Sequence, residues 1–361
     1  MREGMMLRPA ALIPALALLG TLAGCGSSSD GATSPFPAPV VPPLESVPFS
    51  FLGSGKVAFE RISSVTGYDA IYLIDATAMT SSHSFDNGVN FGATLSPDGR
   101  RLAYTAYTDV NTAYDVYVAN SDGTGVQQAT SFPQQEGPPS WTPDGAKIIV
   151  PGGNGNFVYN VYSQSPVANP ADRTQLTHFT APSPGAAFSC PTIIDNETRV
   201  AASAQGMLAF ACFNGEIDIL ASSGALSATY FPLRNDRRHW TNVLAPSWSP
   251  DGTRVAFMET TSDSATNYSV IGLAVKVMNA DGSNVATVTS VAAASSGGIG
   301  GGWLGSNNYS LCWMPDGSRL VFNIPESMLI GHLWVVRADG TGLAQLTSAP
   351  GVWDRSVSCA R

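Results

Sequence analysis

The sequence predicts an all-β fold of repeated four-stranded antiparallel units, and three observations predict it. The first is a tight turn between two apolar stretches that recurs along the chain: Ser96-Pro97-Asp98-Gly99, Thr142-Pro143-Asp144-Gly145, Ser249-Pro250-Asp251-Gly252 and Met314-Pro315-Asp316-Gly317. Proline presets φ at the first turn position and Asp-Gly tolerates the reversal, so each copy reads as a β-hairpin. The second is a later turn that follows a third strand in the same unit, at Asp122-Gly123, Asp281-Gly282 and Asp339-Gly340. The third is composition: 36 glycines and 25 prolines in 361 residues, with no sustained helical period. A repeat of about 40–50 residues with four strands each is the mark of propeller blades.

The second unit shows all its pieces. Gly92 to Ser96 leads into the first turn, Arg101 to Ala106 leaves it, Asp115 to Ala119 follows, and Val126 to Thr130 closes the unit. The last unit repeats this with Leu333 to Val336 and Leu343 to Thr347; the fifth has Val275 to Met278, and the third ends on Thr174 to Thr177. Two repeat lengths separate Pro143 from Pro250, so a degenerate fourth unit is expected between them. Pro191 to Ala201 aligns without gaps on Pro246 to Ala256, with Asp195-Asn196-Glu197 in place of Pro-Asp-Gly. The first unit begins at its second strand, Lys56 to Glu60, and continues with Ala70 to Asp75. Its missing innermost strand stands at the other end of the chain, Asp354 to Cys359. The count is six blades, with the C-terminal strand joining blade one and closing the ring so that no open edge remains.

The N-terminus reads as an export segment. Arg2 and Arg8 precede an apolar run, Ala10 to Leu22, which is shorter than the ~20 residues of a membrane-spanning helix. The run ends in Leu22-Ala23-Gly24-Cys25, a sequence that resembles the bacterial lipobox. Residues 1–24 are therefore expected to be a lipoprotein signal peptide, with Cys25 lipidated. Multiple acyl chains hold a protein at a membrane where one does not. The residue after Cys25 is Gly26, not aspartate, which by resemblance to Gram-negative lipoproteins favours the outer membrane over inner-membrane retention. Residues 25–54, rich in Ser and Pro, are expected to be a tether, and 55–361 the propeller.

Charge narrows the partners. Of 18 Lys+Arg and 27 Asp+Glu, the leader holds Arg2, Arg8 and Glu3, which leaves 16 against 26 in the exported chain. An acidic domain without a basic tract is a poor match for nucleic acid or an anionic lipid surface, so membrane contact is expected through the lipid alone. Cys190, Cys212, Cys312 and Cys359 are an even set in an exported chain, and four cysteines allow three pairings. The repeat alignment favours 190–212 within one blade and 312–359 across the ring closure; buried free thiols are the other reading.

The repeat resembles the WD-like β-propeller family typified by the C-terminal domain of TolB, in which Ser-Pro-Asp-Gly-(Lys/Arg) and Ala-Asp-Gly mark each blade. The resemblance covers roughly residues 55–361 and implies the fold. The segment 26–54 is too short for the α/β domain that precedes the TolB propeller, so TolB's role is not implied here.

No catalytic motif stands out. There is no Gly-x-Ser-x-Gly elbow, and Gly53-Ser54-Gly55-Lys56 lacks the spacing of a phosphate loop. Each Asp-Gly turn offers one carboxylate where calcium needs six or more oxygens, and His83, His178, His239 and His332 are scattered, so neither a metal nor a cofactor is expected. Attention falls on the loops from each outer strand to the next inner strand, which open on one mouth of the channel. Glu136, Arg237, Arg238, His239, Trp240, Trp303, Trp353, Asp354 and Arg355 lie there and have the makings of a recognition surface. Packing between blades explains the three tryptophans equally well. The expected function is that of a monomeric, lipid-anchored envelope scaffold that binds a protein or glycan without catalysis. The alternative is a propeller-type polysaccharide lyase or hydrolase working at the channel mouth.

Overall fold

The computed structural model describes residues 44–63, 69–85, 90–107, 114–132, 135–153, 159–167, 172–179, 199–212, 215–232, 239–266, 269–292, 309–327 and 330–361. The chain divides into Met1–Val40 and Val41–Arg361, and every described residue lies in the second unit. Among the described residues no helix is long and apolar enough to cross a membrane.

Four sheets are four-stranded antiparallel blades. The first contains β4 (Asn90–Leu95), β5 (Arg101–Tyr107), β6 (Tyr114–Asn120) and β7 (Gln127–Gln128). The next contains β8 (Ser140–Trp141), β9 (Ile148–Gly153), β10 (Tyr159–Gln164) and β11 (Thr174–Gln175). Then come β12 (Ala201–Ala202), β13 (Leu208–Ala211), β14 (Ile217–Leu220) and β15 (Leu226–Tyr230). The fourth contains β16 (His239–Trp248), β17 (Arg254–Asp263), β18 (Ser269–Asn279) and β19 (Ala286–Ala292).

The fifth sheet has eight strands. One half is β20 (Leu311–Trp313), β21 (Arg319–Ser327), β22 (Ile330–Arg337) and β23 (Ala344–Gln345). The other half joins the chain's last strand, β24 (Val352–Ala360), to β1 (Lys56–Ser63), β2 (Asp69–Asp75) and β3 (Thr80–Phe85). Within each half all pairing is antiparallel, and a single parallel bridge, Gly331 to Trp353, connects them. The pairing of β24 with β1 runs from Val352 opposite Ser63 to Ala360 opposite Lys56, with one bulge.

The turn chemistry explains the hairpins. In Ser96-Pro97-Asp98-Gly99 the Gly99 N–H donates to the Ser96 carbonyl at 2.8 Å, and Gly99 adopts φ +64°, a conformation that favours glycine. The Ser96 hydroxyl donates to Asp98 at 2.6 Å and accepts the Arg101 N–H at 3.0 Å, so one serine satisfies both arms of the hairpin. Thr142 with Asp144 and Ser249 with Asp251 repeat this pattern. In the later turns Asp122, Asp281 and Asp339 accept from the backbone and hydroxyl of Thr124, Ser283 and Thr341.

The fourth unit corrects the sequence alignment. Its hairpin turn is Ser203-Ala204-Gln205-Gly206, where Gly206 N–H donates to the Ser203 carbonyl and the Ser203 hydroxyl accepts the Met207 N–H. It is one residue shorter than the other turns and lacks their proline and aspartate. Asp195-Asn196-Glu197, aligned with the turn from sequence, lies outside the described residues. Thr198-Arg199-Val200-Ala201 was matched to a second strand, but Ala201–Ala202 is the inner strand of its blade and pairs with Ala209 and Leu208.

Apolar side chains alternate along each strand, so each sheet contributes to cores on both its faces. The cores form a cycle. Ala58, Ile71 and Leu73 pack with Ala93, Leu95 and Tyr104. Ala103, Val116 and Val118 pack with Trp141, Ile148 and Val150. Ile149 and Val161 meet Val200, Leu208 and Phe210; Ala209 and Ile217 meet Trp248 and Phe257. Ala256 and Met258 meet Leu311 and Phe322, and Val321, Leu333 and Val335 return to Val57, Phe59 and Tyr72.

The start of the folded domain differs from the expectation of a tether over 25–54. Val47 and Leu52 are buried, and Leu44 and Phe49 pack against the same core as β1. Phe49–Phe51 forms a 3-10 turn. Glu45 is held there by Arg61 at 2.7 Å and by the Ser348 N–H at 2.6 Å. Single apolar anchors two to three residues apart in a proline-rich stretch are weak marks, which is why the sequence reading extended the tether too far.

Candidate functional site

The inner strands surround a cavity of about 500 Å³. Its lining comes from every inner strand, including Thr94, Ser140, Arg199, Ser247, Leu311 and Ser358. The Pro-Asp-Gly turns make its rim: Pro97, Asp98, Pro143, Asp144, Pro250 and Pro315, with Arg361 at the chain end. The opening therefore lies at the hairpin-turn end of the inner strands, away from Glu136 and Trp353, which stand where inner strands begin.

Three tryptophans of the repeat build the wall. The indole N–H groups of Trp141, Trp248 and Trp313 donate to the carbonyls of Thr94, Ala201 and Ser247, each on the preceding inner strand and each at 3.2 Å. Arg101 lies 4.6 Å from the Trp141 ring centroid and Arg254 lies 4.8 Å from that of Trp313, both at cation–π distance. These contacts fix β8, β16 and β20 each to the inner strand before it. Cys312 and Cys359, neighbours across the β20–β24 seam, are joined by a disulfide and also line the cavity.

The acidic rim is already engaged. The Ser96 and Thr142 hydroxyls hold the Asp98 and Asp144 carboxyls below their ordinary range, aided by the Arg100 and Ala146 amides. These groups stay ionised and serve their own turns. Arg199 is different: its Nη1 donates to the Val357 carbonyl and its Nη2 to the Ala93 carbonyl, both at 3.2 Å, so it reaches from one side of the channel to the other.

The expected mouth residues fall into two groups. Several are structural joints. Glu136 is fully buried, accepts a hydrogen bond from the Thr130 hydroxyl and pairs with Arg173 at 2.7 Å. Asp354 is also fully buried, bonded to Arg61 at 2.6 and 2.8 Å and to Thr347. In both cases a threonine ending one unit donates to the carboxylate that opens the next inner strand. Trp353 is buried against Gly331. Arg355 is partly exposed and bridges Glu60 at 3.1 Å and Asp69 at 3.8 Å. Burial and the nearby Glu60 carboxylate push Asp69 up to about 8, against the pull of Arg355. His239 is half-buried at the start of β16, opposite Asp263. Glu136, Trp353 and Asp354 thus do not form an open recognition surface, because their polar or aromatic groups close blade junctions. Arg237, Arg238, Trp303 and the Trp240 side chain lie outside the described residues, as do Cys25 and Cys190. The tell-tale partners were in the sequence, as Gln128-Ala129-Thr130 and Gln345-Leu346-Thr347.

Two other clusters have structural explanations. Cys212, Glu216 and Asp218 stand close enough together to hold a metal, but Cys212 is disulfide-bonded and its sulfur is not a free thiolate ligand. His332 is buried, with Nδ1 2.7 Å from Glu326 and Nε2 2.9 Å from the Ala349 carbonyl. Burial opposes its charge, but those two acceptors prevail and raise its pKa above 6.5. A raised histidine pKa contributes stability that is complete below the unfolded value and is lost as pH rises through the folded value. Wild-type melting temperature is therefore expected to fall above pH 6.5, and a His332→Gln variant to show a flatter profile in the same thermal scans.

No family model matches the sequence, and no curated protein matches it. Solved structures do. TolB from Acinetobacter baumannii is similar with a TM-score of 0.63 and 16% identity, over 85% of this chain and 66% of that one, just under two thirds of its length. The likeness is one of fold. A putative TolB from Agrobacterium tumefaciens is similar at a TM-score of 0.51 and 12% identity, over 86% of this chain and 100% of that one. Hydrazine synthase from Kuenenia stuttgartiensis is similar at 0.55 and 12%, over 86% of this chain and 47% of that one. An enzyme and two TolB proteins share this architecture, so the β-propeller is shown and the chemistry must be argued from the site.

Proposed function

We propose that this chain is a lipid-anchored cell-envelope propeller of six blades that binds an envelope protein or glycan at its central channel without catalysis. The six-blade count treats the single Gly331–Trp353 bridge as a junction between two blades; the cycle of inter-blade cores has the same number. Binding is carried by one observation. The cavity of about 500 Å³ is of ligand size, and its lining contains no histidine, glutamate, lysine or tyrosine among the described residues. Its two aspartates are fixed as ionised turn acceptors, poor candidates for a general acid. The lyase or hydrolase reading gains no acid–base pair from this lining.

The anchor and the outer-membrane location rest on Leu22-Ala23-Gly24-Cys25 and on Gly26. Radiolabelled palmitate is expected in the full-length protein and not in Cys25→Ser, which should leave the membrane fraction; labelling retained by the variant would remove the anchor from the account. For binding, the exported domain is used to capture partners from envelope extract beside Ala204→Trp, which places a bulky group at the turn-side opening, and beside Arg237→Ala/Arg238→Ala, two positions that precede β16 in the sequence. Loss only in Ala204→Trp is expected. Capture unchanged by Ala204→Trp would move the interface away from the channel.

A further inference from the structure

Arg199 stands where the other inner strands carry short or ring-closed side chains. The position four residues before the hairpin turn holds Gly92, Pro138, Ala245 and Ser310, and its counterpart on β24 is Ser356. Gly92, Ala245 and Ser356 share a positive φ of 52–70°, which supports their equivalence. Only the fourth unit puts a long cation at this level of the channel.

Among the described residues that cation has no counter-ion. Its hydrogen bonds go to two main-chain carbonyls, on Ala93 and Val357, and no described carboxylate lies within ion-pair distance. The acid that acts on it from further away, Glu60, is itself bonded to Arg355, Ser356 and the Ala93 N–H. Burial accordingly depresses the Arg199 pKa. A guanidinium has five N–H donors in a planar fork, of which the protein uses two here. The two carbonyls fix the fork before any ligand arrives, which lowers the cost of binding.

We infer that the channel cavity is an anion site in which Arg199 receives the carboxylate of a small organic monoacid entering past the Pro-Asp-Gly turns. This rests on the reading of the channel as the binding site. One unopposed guanidinium matches one negative charge, and Arg–carboxylate bonding is geometrically specific and charge-assisted. A phosphate dianion fits less well, because it must pass the ionised Asp98 and Asp144 at the rim. Of the three lining arginines, Arg101 is engaged by the Gly145 carbonyl and the Trp141 ring and Arg361 stands at the rim, which leaves Arg199 as the cation inside the channel. The apolar body of the ligand lies against Leu95, Pro97, Pro143, Pro250 and Pro315.

The test titrates the purified exported domain with sodium benzoate and, separately, with inorganic phosphate, following the Nε–H resonance of Arg199 and the heat of binding. A saturable benzoate response is expected, with phosphate at least about tenfold weaker, and Arg199→Gln about tenfold or more weaker toward benzoate. The wild-type calorimetric titration needs no variant, so the test survives if Arg199→Gln does not fold. No saturable binding of benzoate by the wild type overturns the site, as does a folded Arg199→Gln that binds benzoate as tightly. Phosphate binding as tightly as benzoate overturns the monoacid assignment. If benzoate fails while Ala204→Trp still blocks partner capture, this inference falls and the scaffold reading stands; the reverse pattern separates them the other way.

Discussion

Arg61→Met is expected to destabilise the domain by about 3–5 kcal/mol, because it leaves a buried charge without its partner. Arg61 is almost completely buried on β1 and ties together three parts of the chain. Its Nε and Nη2 bond Asp354 on the last strand, its Nη1 and Nη2 bond Glu45 before the first strand, and its guanidinium lies over Tyr72 at 5.3 Å. Burial alone works against its charge, but the two carboxylates outweigh it and hold the pKa above the ordinary arginine value. Removing the cation exposes the energetic cost of burying Asp354. Arg61→Met/Asp354→Leu should recover much of the loss, since apolar groups of similar volume often replace a buried ion pair at little cost. Equilibrium denaturation in urea measures both; a single variant within 1 kcal/mol of wild type would contradict the role given to this cluster.

The same cluster has an acid limb. Burial raises the Glu45 pKa, but Arg61 and the Ser348 amide prevail and bring it from 4.5 to about 2. A depressed carboxylate pKa contributes stability that is present above the unfolded value and is lost as pH falls through the folded one. Wild type should therefore lose stability between pH 4.5 and about 2, and Arg61→Met should lose less over that window.

The second large effect is at the seam. Cys312 and Cys359 are 47 residues apart, and the loop-entropy relation gives about 4 kcal/mol for a cross-link of that length. Cys312→Ala/Cys359→Ala is expected to lower the denaturation midpoint accordingly. A change below about 1 kcal/mol would mean that β24 is held by strand pairing and the Arg61 cluster alone.

The repeat was legible because its turns carry their own chemistry: proline for φ, aspartate as acceptor, glycine for the left-handed residue. Closure by the last strand was legible because the first unit lacks one strand and the chain ends in one. The fourth unit was misread for the same reason that the others were read. Ser203-Ala204-Gln205-Gly206 keeps only the serine acceptor and the glycine, so the alignment followed Thr-Arg-Val-Ala instead and placed Arg199 on a second strand. Shifting one strand inward turns a surface-type cation into a channel cation. The expected mouth was misjudged differently. Glu136 and Asp354 are charged and stand near prolines and glycines, which reads as exposed loop, and only their threonine partners in the preceding unit reveal them as joints. The repeating tryptophans are the converse: large and regular in sequence, they are wall residues whose N–H groups bond the neighbouring strand.

The central claim is that partners engage the turn-side opening of the channel. A photo-crosslinking amino acid at position 204, on the exposed rim, tests it in intact cells against the same residue at position 343 on an outer turn. A discrete adduct from 204 and none from 343 is the predicted result. Adducts from 343 alone, or equal adducts from both, would contradict a channel-directed scaffold.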